Sequence, residues 1–166
     1  MKKILFLGLF LSSILSYAQE TTTYYLIRHA EKDRTDAKNR DPLLNPKGLK
    51  RADHWAQVLG AVKFDLVYST NYNRTKQTAT PTARANNLEL LFYNPSKMYD
   101  ASFVEKTKGK NVLVVGHSNT TPAFVNKILG ENKYQDIDDN NNNNLYIVTV
   151  TKESTTSTVL YIPFKE

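Results

Sequence analysis

The apolar run Val112–Val115, which leads into Gly116-His117, constrains the fold of this chain more than any other stretch. An unbroken aliphatic and β-branched run is typical of a strand buried on both faces, as in a parallel sheet. Tyr24–Ile27 is a second short apolar run, and Arg28-His29 follow it directly. Runs of this kind alternate with helical patterns along the chain. The sequence therefore predicts an α/β fold, a three-layer αβα sandwich with a mostly parallel central sheet.

Turn and capping residues place the other elements. The further predicted strands are 64–69, 88–93 near a sheet edge, and a hairpin formed by 145–150 and 158–162. The predicted helices are 46–59, 71–86 with a kink or restart at Pro81, 98–106, and 121–129 ended by Gly130.

The helix that begins at Pro46 has the clearest start signal. Asn45 is a favoured N-cap residue, and proline suits the first helical position. The predicted apolar stripe has helical spacing and consists of Leu49, Ala52, Ala56 and Leu59. His54 falls on the opposite face, where we expect a solvated surface histidine.

Two polar segments lack an apolar period. Lys32–Pro42 is predicted to be a loop over the functional edge of the sheet. Asp138–Asn144, with its run of asparagines, is predicted to be a flexible turn.

Residues 1–18 have the features of a cleavable signal peptide. Lys2-Lys3 supply the charged start, Ile4–Leu15 is mainly apolar, and Ser16-Tyr17-Ala18 offers small residues at the positions that a signal peptidase reads. The apolar run is shorter than the roughly 20 residues that span a bilayer. We expect cleavage after Ala18, a single mature domain of residues 19–166 without a membrane span, and a periplasmic or secreted location.

The charge composition indicates which classes of binding partner are compatible with the chain. Lysine and arginine outnumber the acids by 22 to 16, which is a modest excess without a long basic run. Nucleic-acid binding is therefore disfavoured, and the bias suits a small anionic substrate. The chain has no cysteine, so its stability must come from the core without disulfides.

Three predicted strand ends carry matching polar chemistry. They supply Arg28-His29, Ser69 with Arg74 shortly after it, and Gly116-His117. Ligands of open α/β sheets bind beyond the carboxyl ends of the strands, so these groups should converge. Arginines converging at one edge indicate a tetrahedral oxyanion, because a guanidinium group binds phosphate in a bidentate fork.

The two strand-end histidines suggest catalysis rather than metal binding. Beside a phosphate, one imidazole could act as nucleophile and the other could donate to the phosphoryl oxygens. The helix starts after Ser69 and His117 would add N–H donors for an anion. Two histidines without a convergent set of carboxylates make a poor transition-metal site, so we expect no metal and no cofactor.

Four segments, in order, resemble the motifs of the histidine phosphatase superfamily, also called phosphoglycerate mutase-like. Arg28–Glu31 resembles its RHG motif, and Leu44–Gly48 resembles its L-T-x-x-G segment. Ser69–Ala79 resembles S-x-x-x-x-R-x-x-Q-T-A, and Val114–Ser118 resembles the second-histidine motif. The resemblance implies the phosphoglycerate mutase-like sandwich, and the short chain is most similar to small SixA-type phosphohistidine phosphatases.

The resemblance also implies roles for individual residues. His29 would be the nucleophile that becomes phosphohistidine, and Arg28, Arg74 and His117 would form the phosphate pocket. Candidate substrate contacts at the same edge are Ser69, Ser118 and Asn119.

The chain departs from the family pattern at several positions. Ala30 replaces the usual glycine, Asn45 replaces threonine, and Thr35 stands where many members carry asparagine. The acidic segment that supplies the general acid of the mutases is not recognisable. The carboxylates left for that role are Glu31, Asp33 and Asp100, and each could equally be a solvated loop charge.

The sequence thus predicts a metal-independent phosphatase for small phosphorylated substrates, working through phosphohistidine. The alternatives are a phosphomutase of the same superfamily and a non-catalytic secreted phosphate-binding module. The short chain and the missing acidic segment disfavour the mutase. The paired histidines disfavour a module that only binds phosphate.

Overall fold

A six-stranded sheet lies at the centre of the computed structural model, which describes residues 20–165. The strands are β1 Thr22–Arg28, β2 Leu66–Ser69, β3 Leu90–Phe92, β4 Asn111–Gly116, β5 Asn144–Val150 and β6 Thr155–Tyr161. The helices are α1 Pro46–Val58, α2 Asn73–Ala85, α3 Ala101–Thr107 and α4 Thr120–Leu129, with a 3₁₀ turn at Pro95–Lys97. The predicted signal peptide, residues 1–18, lies outside the described residues.

The strand order is β3-β2-β4-β1-β5-β6, and the first four strands are parallel. β5 pairs antiparallel with both β1 and β6, so the predicted hairpin is confirmed, as is β3 at a sheet edge. The architecture is the predicted mixed α/β sandwich, with a mostly parallel central sheet and helices packed on both of its faces. No helix within residues 20–165 is long and apolar enough to cross a membrane.

β4 is buried on both faces, as its unbroken apolar run predicts. Val112 and Val114 pack into a cluster with Phe103 of α3 and Phe124 of α4. The alternate residues of β4 pack into the opposite cluster with Trp55 of α1 and with α2. This two-sided burial fixes the register of β4 and with it the position of the strand end.

The N-terminus of α1 packs tightly against the segment that follows β1. Asn45 caps the helix, because its Oδ1 accepts a hydrogen bond from the Gly48 N–H at 2.8 Å. A Cβ atom at Gly48 would collide with the Glu31 carbonyl oxygen, so only glycine permits this approach. The helix start is therefore held beside the residues that follow His29.

Two details predicted for α1 are wrong. Leu49 is 46% exposed, and the buried face instead consists of Gly48, Arg51, Ala52 and Trp55. His54 is half-buried rather than solvated, because its ring lies 5.2 Å from the ring of Phe164 near the chain end.

Two helix boundaries also differ from prediction. α2 continues through Pro81 without a restart, because the turns on both sides are packed through the buried Thr78, Ala79, Thr82 and Ala83. α3 begins at Ala101 rather than 98, because the Asp100 carboxylate accepts the N–H of Phe103 at 2.9 Å and sets the N-cap.

Candidate active site

β1, β2 and β4 end side by side at one edge of the sheet. Arg28 pairs with Gly116, and Ser69 pairs with Val115. The N–H of His29 then continues the ladder by donating to the Gly116 carbonyl at 2.9 Å. This register brings together the side chains of four predicted site residues, which are Arg28, His29, Arg74 and His117.

His29 is held in one orientation and one tautomer. Its Nδ1 lies 2.7 Å from the Ala30 carbonyl oxygen, so Nδ1 carries the proton and the lone pair is on Nε2. Its own carbonyl accepts from the Asn142 amide at 2.8 Å. The residue is 4% exposed, and its ring centroid lies 5.5 Å from that of His117. His29 is therefore an oriented imidazole whose Nε2 is available for chemistry.

His117 is oriented by hydrogen bonds at both ring nitrogens. Arg74 Nη2 donates to Nδ1 at 3.3 Å, which leaves Nε2–H to donate to the Thr70 hydroxyl at 2.9 Å. The Thr70 hydroxyl also lies 3.0 Å from the hydroxyl of Thr75 in α2. The edge of the Tyr72 ring packs against the imidazole at a centroid distance of 5.1 Å.

Arg28 is almost completely buried, and the segment 138–142 surrounds its guanidinium group. Nη1 donates to the carbonyls of Asp138, Asp139 and Asn141 at 2.9–3.0 Å. Nη2 donates to the Asp139 carboxylate at 2.7 Å. The predicted turn is present at Asp139-Asn140 and ends where β5 begins, and the buried cation holds its backbone through these hydrogen bonds.

Arg74 lies at the start of α2, above the ring of Tyr72 at 4.6 Å from its centroid. Nη1 lies 3.7 Å from the carboxylate of Asp41, and its bond to the Arg40 carbonyl is 3.3 Å long. Within residues 20–165, the buried Nε atoms of Arg28 and Arg74 have no hydrogen-bond partner. Two unpartnered cationic N–H groups at one edge are suited to an incoming anion.

The motif residues after Arg74 support the backbone around His29. The Thr78 hydroxyl accepts the N–H of Ala30 at 2.9 Å, and the Gln77 side chain accepts the N–H of Leu44 at 2.7 Å. These bonds connect α2 to the segment after β1 and to the residue before Asn45. Gln77 and Thr78 therefore position the backbone that follows His29, and neither residue lines the two cavities described below.

Two predicted site residues lie elsewhere. Ser69 is fully buried and donates to the Thr70 carbonyl at 2.6 Å, so its hydroxyl is engaged within the strand end. The Asp100 carboxylate caps α3. Thr70 instead supplies the hydroxyl that the pattern assigned to Ser69, because alternate residues of a strand point to opposite faces.

Two cavities share Arg28, His29, Lys32 and Asp139 in their walls. The cavity of about 340 Å³ also contains His117, Arg74, Ser118 and Asn119. The cavity of about 680 Å³ extends over the loop after β1 and the start of α1, and includes Glu31, Asp33, Arg34 and Lys47. The predicted contacts Ser118 and Asn119 thus line the smaller cavity with the two histidines, whereas the candidate acids Glu31 and Asp33 line the larger cavity.

Residues 24–93 match the family model described as histidine phosphatase superfamily (branch 1). The matched part of the chain resembles that superfamily and includes Arg28, His29 and Arg74. A comparison with curated proteins finds no match.

Several solved structures resemble the chain over most of its length. A protein from Agrobacterium tumefaciens, assigned as the phosphohistidine phosphatase SixA, is 22% identical with a TM-score of 0.62, covering 86% of this chain and 99% of that one. The phosphoglycerate mutase of Bacillus anthracis is 15% identical with a TM-score of 0.65, covering 86% and 93%. At these identities the likeness establishes the fold.

The carboxylates near the pocket that contains His29 and His117 are held in the ionised form. Burial acts to raise the pKa of Glu31, but two hydrogen bonds from Arg51 outweigh it, and the pKa lies below its ordinary value. The N–H of Thr35 lowers the pKa of the exposed Asp33 carboxyl. For Asp139, burial is likewise outweighed by Arg28 and Arg34, so its pKa is lowered. None of these three resembles a carboxyl kept protonated for proton donation.

Both active-site histidines are electrically neutral in the native state. Burial, together with the charges of Arg28 and Arg74, lowers the pKa of His29 to about 3, against the opposing effect of the Ala30 carbonyl. Burial and the same two arginines lower the pKa of His117 to about 4. A neutral His29 keeps its Nε2 lone pair at physiological pH, which a nucleophile requires.

These lowered pKa values predict acid sensitivity of the fold. In the unfolded chain, both histidines become protonated below the ordinary histidine pKa of 6.5. In the native state, His117 becomes protonated only near pH 4 and His29 only near pH 3. The free energy of unfolding should therefore fall as the pH drops from about 6.5 toward 4. Urea unfolding at pH 7.5 and pH 5 measures the fall, and His29→Ala should reduce it. An NMR signal of His29 that titrates near pH 6.5 in the folded protein would contradict this assignment.

Proposed function

We propose that this protein is a phosphatase that hydrolyses phosphate monoesters or phosphoramidates through a phosphohistidine intermediate on His29. The observation that carries the proposal is the neutral, tautomerically fixed His29, whose ring lies 5.5 Å from that of His117 in a cavity that Arg28 and Arg74 also line. The unpartnered Nε atoms of Arg28 and Arg74 provide the charge-assisted donors that a phosphoryl group needs.

The reaction would proceed in two displacements at phosphorus. In the first, the Nε2 lone pair of His29 forms a P–N bond while the bond to the leaving group breaks and its electron pair departs with that group. In the second, water attacks phosphorus, the P–N electron pair returns to Nε2, and the water proton leaves to solvent or to the product phosphate. Arg28, Arg74 and His117 would stabilise the charge on the phosphoryl oxygens in both steps.

The proposed chemistry draws its positive charge from the protein. Among residues 20–165, no group of three His, Cys, Asp or Glu side chains could hold a metal ion. Two guanidinium groups at the pocket provide fixed charge where a metal-dependent phosphatase would place its ion. We therefore propose that hydrolysis needs no metal.

Related structures are compatible with this chemistry on the same fold. The SixA protein histidine phosphatase, 18% identical with a TM-score of 0.64, was solved with tungstate, a tetrahedral oxyanion. A phosphoserine phosphatase from Entamoeba histolytica, 16% identical, was solved with phosphoserine. These ligands belong to those proteins, and they support a phosphorylated substrate here without identifying it.

The first prediction concerns the nucleophile. His29→Ala should abolish hydrolysis, and Arg74→Ala should reduce kcat/KM on the order of a hundredfold through lost charge stabilisation. Acid-labile, base-stable radiolabel from a phosphorylated substrate should be trapped on His29 in the native protein.

His54→Ala is the matched control, because this third histidine lies outside the pocket against Phe164. It should retain both the label and the activity. Label on another residue, or full activity in His29→Ala, would refute the mechanism. Transfer of the label to an acceptor hydroxyl in place of water would instead identify a phosphomutase.

The second prediction concerns the leaving group. Because Arg51 and a backbone N–H hold Glu31 and Asp33 ionised, the leaving group must depart with most of its negative charge. The rate should then fall steeply as the leaving-group pKa rises, since proton donation normally contributes roughly 10²–10⁴-fold. Aryl phosphates and phosphoramidates should react well and alkyl phosphates poorly.

The measurement is kcat/KM across phosphate monoesters of graded leaving-group pKa, with and without EDTA. A flat dependence would mean that an acid is present, and Glu31→Gln, Asp33→Asn and Asp100→Asn would then identify it. Loss of activity in EDTA would contradict the proposed metal independence.

A third prediction follows from the Lys2-Lys3 start and the Ser16-Tyr17-Ala18 segment. We propose that the protein is exported and acts in the periplasm or outside the cell. N-terminal sequencing of native material should find a mature chain that begins at Gln19. Recovery from the cytoplasm with Met1 retained would rule export out.

A further inference from the structure

We propose that Asp139 is a specificity-determining residue whose carboxylate occupies the anion position on Arg28 until a dianionic phosphate group displaces it. The inference rests on the proposed phosphatase function, and it adds a condition on the substrate. A phosphate monoester dianion would open the site, whereas a monoanion such as a phosphodiester would not.

The terminal nitrogens of the Arg28 guanidinium group already have hydrogen-bond acceptors. Its Nη1 donates to three backbone carbonyls, and Nη2 is bound to Asp139 Oδ1 at 2.7 Å. Among the described residues, the buried Nε of Arg28 has no partner, and Nη2 has a single partner, the Asp139 carboxylate. A phosphate that binds a guanidinium group at two points, here through Nε and Nη2, would therefore meet the negatively charged Asp139 carboxylate on the same nitrogen.

Asp139 is the partner of Arg28 that is able to move. The three carbonyls belong to the backbone of segment 138–141, whereas the Asp139 side chain is 61% exposed and Arg28 is 3% exposed. Rotation of one exposed side chain would vacate Nη2 without disturbing the buried carbonyl bonds. The exchange therefore requires no movement of the main chain.

A second arginine can hold the displaced carboxylate. Arg34 Nη2 already contacts Asp139 Oδ2 at 2.7 Å, and its side chain is 54% exposed. Asp139 thus bridges a buried cation and an exposed one. When a phosphate group binds Arg28, the Asp139 carboxylate can remain paired with Arg34 and rotate away from the pocket.

The competing anions differ in charge. A carboxylate carries one negative charge, and so does a phosphodiester, so replacing one with the other brings no gain in attraction to Arg28. A monoester dianion carries two charges and also meets Arg74 in the same cavity. The bridge would therefore discriminate by anion charge before any chemistry occurs.

The test compares Asp139→Asn with Asp136→Asn in calorimetric titrations of the protein with inorganic phosphate and with dimethyl phosphate at pH 8. Asp136 is an exposed acid three residues before Asp139, so its variant removes the same formal charge without removing a contact to Arg28. Asp139→Asn should bind phosphate on the order of tenfold more tightly, a change of about 1.4 kcal/mol. It should also gain measurable affinity for dimethyl phosphate.

Equal phosphate affinity in the two variants would overturn the proposal, because the effect would then be one of net charge alone. A crystal structure of the native protein with phosphate provides a second test that needs no variant. Displacement of Asp139 from Arg28 Nη2 in that complex supports the inference. Retention of the 2.7 Å contact beside bound phosphate overturns it.

Failure of this inference can be distinguished from failure of the phosphatase proposal. His29-dependent hydrolysis combined with equal affinities in the two variants would remove the role of Asp139 and leave the phosphatase standing. If the native protein neither binds phosphate nor hydrolyses phosphate esters, both proposals fall.

Discussion

The buried guanidinium group of Arg28 is the interaction on which the functional edge of this sheet depends. A cation that is 3% exposed must be matched by hydrogen-bond acceptors, because an unpaired buried charge is strongly destabilising. Segment 138–141 supplies three carbonyls and a carboxylate, and this fixes a backbone that has no regular secondary structure. Asn142 then reaches the His29 carbonyl from the same segment. Burial of one arginine thus orders the loop that also holds the catalytic candidate.

The same positive charges govern the state of the histidines. Arg28 and Arg74 add to burial in lowering the pKa of both imidazoles, so neither ring is a cation in the empty pocket. An electropositive pocket therefore serves two requirements of the proposed chemistry. It attracts a phosphate group, and it keeps the Nε2 lone pair of His29 free for attack. A pocket that relied on protonated histidines for phosphate binding would lose its nucleophile.

The sequence predicted the scaffold better than the details of the pocket. Long apolar runs and the Asn45 cap report local preferences that tertiary packing reinforces, so the β4 strand and the start of α1 are correct. The role of 138–144 was missed because its asparagines indicate a turn from composition, while its order comes from Arg28, over a hundred residues away. The sequence pattern pointed to Ser69, but the hydroxyl that contacts His117 belongs to Thr70. Neighbouring residues of a strand point to opposite faces of the sheet, so a shift of one position changes which side chain reaches the site. The ion pair between Arg51 and Glu31 could not be predicted, because the two residues are 20 positions apart and no local sequence pattern indicates that they are in contact.

The three arginines at this edge differ in the length and exposure of their ion pairs with carboxylates. This difference separates a structural arginine from the two that an anion could reach. Arg51 makes two short bonds to Glu31, lies buried in α1, and also packs over the ring of Phe164, so its pairing is structural. Arg28 has one exchangeable partner in Asp139. Arg74 has the longest contact, 3.7 Å to Asp41, and keeps an unpartnered Nε among the described residues. Of these arginines, Arg74 would therefore lose the weakest existing ion pair when an anion enters the pocket. A phosphate group in this pocket would therefore displace a weaker contact at Arg74 than at Arg28, where it competes with the 2.7 Å ion pair to Asp139.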